Sequence, residues 1–307
     1  MGTPPGDGTT ILFPGQGAQA VGMAGDWVEA EPAAAALFAR AAEILGYDLL
    51  AVCQSGPAER LNTTAVSQPA ILVTSLAALE VLRRRDPAPL EAAALTAGLS
   101  LGEYTALVFA GALGFDDAVR LVDERGRAMQ DCAGAAPGGM VAVLGMEREA
   151  VAALCDACRE DGILQVANVL CPGNIVVSGD RAACGRIEAA APAAGAMKCV
   201  RLEVAGAFHT PLMQPAVERL TAALARSDFR PPRIPVVSNV DARPHTDPAE
   251  IRGLLARQVV GVVEWSDSVA YILSSGVRSA WEIGPGRVLR GLLKRIDRSV
   301  ATGGVFD

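Results

Sequence analysis

A buried strand that runs directly into a glycine-flanked serine constrains this chain more than any other feature of its sequence. Residues 93–97 (AALTA) are predicted to form a strand, and Gly98-x-Ser100-x-Gly102 follows at once, ahead of a helical pattern. Small residues on both sides of a serine allow a tight strand-to-helix turn that lifts the hydroxyl out of the sheet. The sequence therefore predicts an α/β fold with Ser100 as a candidate nucleophile at one edge of an open sheet.

Two further patterns indicate how the chain is organised. The run at 9–13 is a β-like segment that ends in a glycine-containing loop at 14–17, and a helix is predicted over 69–85 with Pro69 near its first turn. Between 138 and 206 short elements alternate. Strands are predicted at 140–144, 164–169, 175–178 and 198–204, and helices at 148–159 and 181–190. This βαββαβ order is ferredoxin-like, so we predict a small domain of 138–206 inserted into a large domain of 1–137 and 207–307.

Composition and charge exclude several classes of protein. Of the 307 residues, 51% are hydrophobic and only 4% aromatic, as expected for a globular protein with an aliphatic core. With 27 basic and 34 acidic residues the net charge is −7, so no nucleic-acid partner is expected. We find no apolar run in the sequence that is long enough to span a membrane, and the first basic residue is Arg40. We therefore expect a cytoplasmic protein without a signal peptide or a membrane contact.

The cysteines give little support for a metal site. There are seven, scattered along the chain, and an odd number does not suit a disulfide framework. Cys155 and Cys158 form one C-x-x-C motif, but no second Cys/His pair follows at zinc spacing. We expect reduced cysteines and no bound metal.

A serine nucleophile needs a base within hydrogen-bond reach, and histidine is the usual one. The chain has two histidines. His245 lies in a polar stretch with a proline, which indicates an exposed turn, whereas His209 lies where an apolar segment ends beside the small domain. Because clefts form at domain junctions, His209 is the favoured base. A hydrogen-bonded core histidine is the alternative.

Four short motifs are spread in order over nearly the whole chain. They are LFPGQGAQ at 12–19, GLSLGEY at 98–104, AFHTPLM at 207–213 and EIGPG at 282–286. Together, over about 10–295, they resemble the malonyl-CoA:acyl carrier protein transacylase family. The resemblance implies a hydrolase-like α/β large domain with an inserted ferredoxin-like small domain, which the element pattern also predicts.

The resemblance implies a two-step acyl transfer. Ser100 would attack the malonyl thioester of coenzyme A, carry the malonyl group as an ester and yield it to the phosphopantetheine thiol of acyl carrier protein, supplying fatty acid or polyketide synthesis. His209 would take and return the proton, and the main-chain N–H groups of Gln16 and Leu101 match the oxyanion hole. Coenzyme A enters as a thioester substrate, so no bound cofactor is implied. A monomer is implied as well.

The resemblance also assigns three residues to substrate binding and orientation. Arg125 matches the residue that binds the malonyl carboxylate, for which a guanidinium offers a planar, bidentate fork. The residues alone would equally suit a surface arginine paired with an acid. Gln258 lies where the family orients the histidine, and Phe208 is the bulky residue that favours malonyl over methylmalonyl.

The chain departs from the family at Leu99, where histidine is common, and at Gly206, which breaks the fuller motif before His209. On the last helix Arg287, Arg290 and Lys294 recur at i, i+3 and i+7, which predicts either a docking face for an acidic carrier protein or a solvated face paired with local acids. Three other functions are left open. They are a serine hydrolase or thioesterase, a free-standing polyketide synthase acyltransferase, and a catalytically inactive carrier-binding module.

Overall fold

Strands and helices alternate over residues 8–305, the part of the chain that the computed structural model describes. The strands are β1 (Gly8–Phe13), β2 (Ala93–Gly98), β3 (Gly138–Leu144), β4 (Leu164–Cys171), β5 (Asn174–Asp180), β6 (Lys198–Arg201), β7 (Val236–Val237), β8 (Pro244–His245), β9 (Val277–Glu282) and β10 (Ala301–Gly304). The helices are α1 (Pro32–Leu45), α2 (Leu49–Ser55), α3 (Ala58–Leu61), α4 (Thr64–Arg85), α5 (Ala88–Glu91), α6 (Gly102–Phe109), α7 (Phe115–Ala135), α8 (Arg148–Arg159), α9 (Arg181–Ala190), α10 (Gln214–Arg226), α11 (Pro248–Gln258), α12 (Trp265–Ser274) and α13 (Val288–Ile296).

The larger sheet has the strand order β10-β9-β1-β2-β7-β8 and is parallel except for β8, which pairs antiparallel with β7. Every residue of β1 is buried, as expected for a parallel strand covered on both faces. Phe13 at the end of β1 pairs with Gly98 at the end of β2. The loops that follow these two strands therefore meet at one edge of the sheet, where parallel α/β proteins form their sites.

The smaller sheet is antiparallel, with the order β4-β5-β3-β6, and its elements follow one another as strand, helix, strand, strand, helix, strand. Alternate residues of β3 point to opposite faces. Val141 and Val143 pack with α8 and α9, whereas Met140 and Ala142 belong to the core cluster that includes the large sheet. The protein is thus a mixed α/β fold with a largely parallel sheet and a separate antiparallel one.

Helix α4 differs from the sequence prediction in two ways. It begins at Thr64, which places Pro69 inside the helix, because the chain upstream of Pro69 packs tightly on α7. A Cβ on Gly126 would lie 2.7 Å from the carbonyl oxygen of Thr64. By length and composition α4 could also cross a membrane, with a mean hydropathy of 1.6 over 18 residues, so the expectation of no such run was wrong. Because 83% of that window is buried inside the protein, α4 is placed as a core helix.

Candidate active site

The turn between β2 and α6 holds Ser100 in a left-handed backbone conformation, with φ of 50°. Glycine is required on both sides because the chain crosses itself there. A Cβ on Gly98 would lie 1.9 Å from the carbonyl carbon of Gly102, and a Cβ on Gly102 would lie 2.1 Å from the carbonyl oxygen of Phe13. The predicted strand-turn-helix is therefore present, and it turns the Ser100 side chain into a cleft.

Asn239 holds this strained turn in place, and sequence reasoning missed it. Its Oδ1 accepts the main-chain N–H of Ser100 at 2.6 Å, and its Nδ2 donates to the carbonyl oxygen of Gly98 at 2.9 Å. Asn239 follows β7, the neighbour of β2 in the sheet. A polar residue just after a short apolar strand was the available signal, because the carboxyl ends of parallel strands share one edge.

His209 lies beside Ser100, with its Nε2 3.0 Å from the Ser100 Oγ. Its Nδ1 lies 2.8 Å from the main-chain oxygen of Gln258. A carbonyl oxygen can only accept, so Nδ1 carries the proton and Nε2 accepts the serine hydroxyl. Burial, together with the positive charge of Arg125, lowers the pKa of His209 to about 4. The imidazole is therefore neutral near pH 7, as a general base must be.

His245 is buried rather than exposed as predicted, at 8% of its possible surface. It lies on β8 between two carboxylates, with Nε2 3.1 Å from Asp241 and Nδ1 3.0 Å from Glu250. Two acceptors satisfy both ring nitrogens, which is why a polar stretch can bury an imidazole here. His245 makes no hydrogen bond to Ser100 in the described chain.

Arg125 is buried on α7, at 2% exposure, and the surface alternative is wrong. Its Nη1 donates to Gln68 Oε1 at 2.8 Å, and its Nη2 donates both to Ser100 Oγ at 3.1 Å and to Gln258 Oε1 at 3.0 Å. Burial lowers the pKa of the guanidinium. No carboxylate forms an ion pair with Arg125 among residues 8–305. Gln68 was also missed, because nothing in its apolar helix indicates a polar contact.

Two main-chain N–H groups beside the serine are left without an acceptor. Within residues 8–305 the amides of Gln16 and Leu101 donate no hydrogen bond, and both residues line the cleft with Ser100. Leu101 directly follows Ser100, and Gln16 lies in the loop after β1. Free N–H groups beside a nucleophile can stabilise a developing oxyanion.

The cleft encloses about 470 Å³ and draws its walls from both sheets. The large sheet side contributes the polar groups described above, and Met140 and Val176 on the small sheet contribute apolar wall. Phe208 lines the same space and is almost fully buried. Leu99 also faces the cleft while packing against a neighbouring apolar cluster. An apolar cavity with a few converging polar groups is the usual form of a small-molecule site.

The basic residues predicted to share a face of the last helix do not form one open stripe. The Arg290 side chain is only 13% exposed and lies 3.7 Å from Glu282, whereas Arg287 and Lys294 are exposed. A helical repeat places residues on one side of a helix, but β9 and its buried Glu282 occupy part of that side. Among the described residues no cluster of three His, Cys, Asp or Glu side chains suits a metal ion.

Comparison with known proteins identifies the family. Residues 10–301 match the family model described as acyl transferase domain. The malonyl CoA-acyl carrier protein transacylase of Salmonella typhimurium is 44% identical over 286 residues, which cover 93% of this chain and 92% of that protein. The chain belongs to the malonyl-CoA:acyl carrier protein transacylase family. The resemblance predicted from the four motifs is confirmed.

Solved structures of the family have the same fold. The acyl-carrier-protein S-malonyltransferase of Bartonella henselae superposes with a TM-score of 0.94 at 36% identity, covering 98% of this chain and 96% of that one. A malonyl-transacylase solved in complex with its type II polyketide synthase acyl carrier protein gives a TM-score of 0.93 at 39% identity, with 98% and 96% coverage.

Proposed function

We propose that this chain transfers a malonyl group from coenzyme A to the phosphopantetheine thiol of an acyl carrier protein, through an ester on Ser100, in fatty acid biosynthesis. One observation carries the proposal. The Ser100 hydroxyl lies within hydrogen-bond distance of both His209 Nε2 and Arg125 Nη2. A nucleophile, its base and a buried cation for a charged acyl group therefore meet at one oxygen.

In the first half-reaction His209 Nε2 takes the Ser100 proton as Oγ attacks the thioester carbonyl. The resulting oxyanion accepts from the Gln16 and Leu101 amides, each donor contributing about 10²- to 10³-fold in rate. Collapse breaks the C–S bond, and His209 returns the proton to the departing thiolate of coenzyme A. In the second half-reaction the carrier thiol gives its proton to His209 and attacks the ester carbonyl, and collapse breaks the C–Oγ bond as His209 returns the proton to Ser100 Oγ.

The remaining site residues set the position of the groups. Arg125 binds the malonyl carboxylate through its fork, exchanging its contact with Ser100 Oγ for the substrate. The main-chain oxygen of Gln258 holds His209 in the tautomer that accepts from Ser100, and its side chain supports Arg125. Phe208 limits the space beside the acyl group, so malonyl is favoured over methylmalonyl.

We assign residues 138–206 to a ferredoxin-like inserted domain and the predicted 1–137 and 207–307 to a hydrolase-like α/β domain, of which residues 1–7, 306 and 307 lie outside the described residues. The order β4-β5-β3-β6, with α8 and α9 packed on one face, supports the second assignment. A monomeric state and a cytoplasmic location stay predictions from the sequence.

Intact-protein mass spectrometry tests transfer directly. The wild-type chain is mixed briefly with malonyl-CoA, compared with Ser100→Ala, and then chased with holo acyl carrier protein. We expect a malonyl adduct that requires Ser100 and moves to the carrier. Loss of the adduct to water, with the carrier unmodified, would identify a hydrolase, and the absence of any adduct would identify an inactive binding module.

Arg125→Ala tests the role of the cation. Truncating a buried charged partner costs about 2 to 5 kcal/mol, so ester formation from malonyl-CoA should fall by at least about 30-fold, while acetyl-CoA, which has no carboxylate, should be affected much less. Arg127→Ala is the matched control, because Arg127 lies on the same helix, half exposed and paired with Asp123. Equal losses with malonyl-CoA and acetyl-CoA would contradict carboxylate binding by Arg125.

A further inference from the structure

Glu103 is a buried glutamate that the chemistry described above does not use. It lies in the first turn of α6, three residues after the nucleophile, and is 2% exposed. Its Oε2 accepts two hydrogen bonds, from the main-chain N–H of Asn239 at 3.0 Å and from Gln258 Nε2 at 2.8 Å. Among residues 8–305 it forms no ion pair. A buried carboxylate without a cation at contact distance is costly.

The Gln258 carboxamide joins Glu103 to Arg125. Its oxygen accepts from Arg125 Nη2 at 3.0 Å, and its nitrogen donates to Glu103 Oε2 and to the Ser100 carbonyl oxygen at 3.1 Å. The guanidinium can only donate and the Ser100 carbonyl oxygen can only accept, so the orientation of the carboxamide is fixed by its neighbours. The three side chains form a line of cation, amide and anion.

This arrangement leaves the cation available to the substrate. A carboxylate in direct contact with Arg125 would occupy the guanidinium fork. With the amide between them, Glu103 still balances the charge of Arg125 in a poorly solvated region, where interactions between charges remain strong over several ångströms. The Nη2 group meanwhile faces Ser100.

We propose that Glu103 is the buried countercharge of Arg125, acting through Gln258 as a positioning residue that balances the charge of the guanidinium and leaves it open for the malonyl carboxylate. The inference rests on the proposed function, since it takes the ligand of Arg125 to be that carboxylate. In wild type the charges of Arg125 and Glu103 cancel before the malonyl group is bound, and the malonyl ester then adds one negative charge. In Glu103→Gln the free site is positive and the malonyl ester neutralises it.

Thermal unfolding of the full chain at pH 8 tests this difference. The pH is chosen above the pKa of about 7 to which burial raises Glu103. The Tm of Glu103→Gln and the Tm of wild type are each measured with and without ligand. Excess malonyl-CoA should raise the Tm of Glu103→Gln by several degrees more than it raises the Tm of wild type. Acetyl-CoA should raise the two Tm values by the same amount. Equal increments with malonyl-CoA would show that Glu103 is only a hydrogen-bond acceptor, because the amide oxygen of glutamine can still accept both bonds.

Glu282→Gln is the matched control. Glu282 is buried to the same degree and accepts two main-chain N–H groups, from Leu289 and Arg290, outside the active-site cleft. Glu282→Gln also loses a buried carboxylate, yet the increase in its Tm on adding malonyl-CoA should equal the increase in wild type. A larger increment in this variant as well would refute a specific link between Glu103 and the acyl site.

A double-mutant cycle without ligand separates this inference from the proposed function. If Glu103 balances Arg125, the variant with both Arg125→Met and Glu103→Gln should have a higher Tm than Glu103→Gln alone. It should also be recovered folded even if Glu103→Gln is not. If the Tm decreases of the two single variants simply add in the double variant, the proposal that Glu103 balances Arg125 is overturned. If wild type forms no malonyl ester, the proposed function fails, and the cycle still decides whether the two charges are coupled.

Discussion

The charge of Arg125 should lower the basicity of His209, and Arg125→Met removes that charge while keeping a long apolar side chain in the same place. Arg125 Nη2 and His209 Nε2 both contact the Ser100 Oγ, at 3.1 and 3.0 Å. Two like charges this close disfavour the protonated imidazole. Burial remains in the variant, so the pKa of His209 should rise without returning to its ordinary value of 6.5.

The size of the effect follows from the shared contact. Since both nitrogens touch one oxygen, they are at most about 6 Å apart, and two unit charges at that distance interact by about 3 kcal/mol at an effective dielectric constant of about 20. That energy corresponds to about 2 pH units. We therefore expect the His209 titration to move upward from about 4 by about that amount, which leaves it below 6.5 because burial remains.

The chain is well suited to the measurement because it contains only two histidines. Long-range proton–nitrogen correlation spectra report each imidazole, and His245→Gln assigns the pair. In wild type the His209 signals should stay those of a neutral ring, protonated on Nδ1, down to pH 5. In Arg125→Met they should begin to shift within that range, and in the control Arg127→Met they should not.

Two results would refute the reasoning. If His209 of wild type titrates near pH 6.5, then burial and Arg125 do not act on it as the geometry requires. If Arg125→Met leaves the titration unchanged, the lowered pKa comes from burial alone, and the field of Arg125 is screened from the base.

Two further predictions concern stability. Gly102→Ala should destabilise the fold by at least about 3 kcal/mol in urea unfolding, because the new Cβ would overlap the backbone of β1. Gly253→Ala, in an open position on α11, should instead stabilise the fold by up to about 1 kcal/mol. Similar effects at the two sites would contradict the close approach of Gly102 to β1. Burial alone would lower the pKa of His245, but the hydrogen bonds that its ring nitrogens donate to Glu250 and Asp241 raise the pKa overall. Its contribution is therefore complete below pH 6.5 and lost as the pH rises through the folded pKa, which lies above 6.5. The Tm difference between wild type and His245→Gln should therefore be largest below pH 6.5 and shrink as the pH rises above it, and a difference that grows with pH would reverse the assigned sign.

The sequence predicted best what depends on neighbours along the chain. The turn at Ser100 was visible because glycines two residues away on each side decide whether the backbone can make it. Strand β1 was predicted for the same reason, as an apolar run ended by a proline and two glycines. His209 was favoured as the base because it lies beside the predicted small domain, whereas the role of Arg125 came from the family resemblance, and the structure places both side chains at Ser100.

What the sequence did not predict depends on contacts between distant segments. Asn239 reaches Ser100 across 139 positions, and Glu103 reaches Gln258 across 155. The local pattern places Asn239 after a short strand and Glu103 in the first turn of a helix, but such residues are common on any surface, so the pattern does not identify their partners. Strand β8 is only two residues long, too short to carry a periodic signal, and the sheet edge it forms could not be seen in advance.

Both residues that handle the proton, Ser100 and His209, have left-handed backbones, with φ of 50° and 60°. Such a conformation costs a non-glycine residue of order 1 kcal/mol or more, and glycine would relieve it while removing the hydroxyl or the imidazole. Among the described residues Glu160 and Ala242 have the same left-handed conformation, so two of the four positions where glycine would relieve such strain are positions where the substitution ends catalysis. Selection of this protein for heat resistance alone would favour losing the activity, so any stabilised active variant must gain its stability elsewhere in the chain.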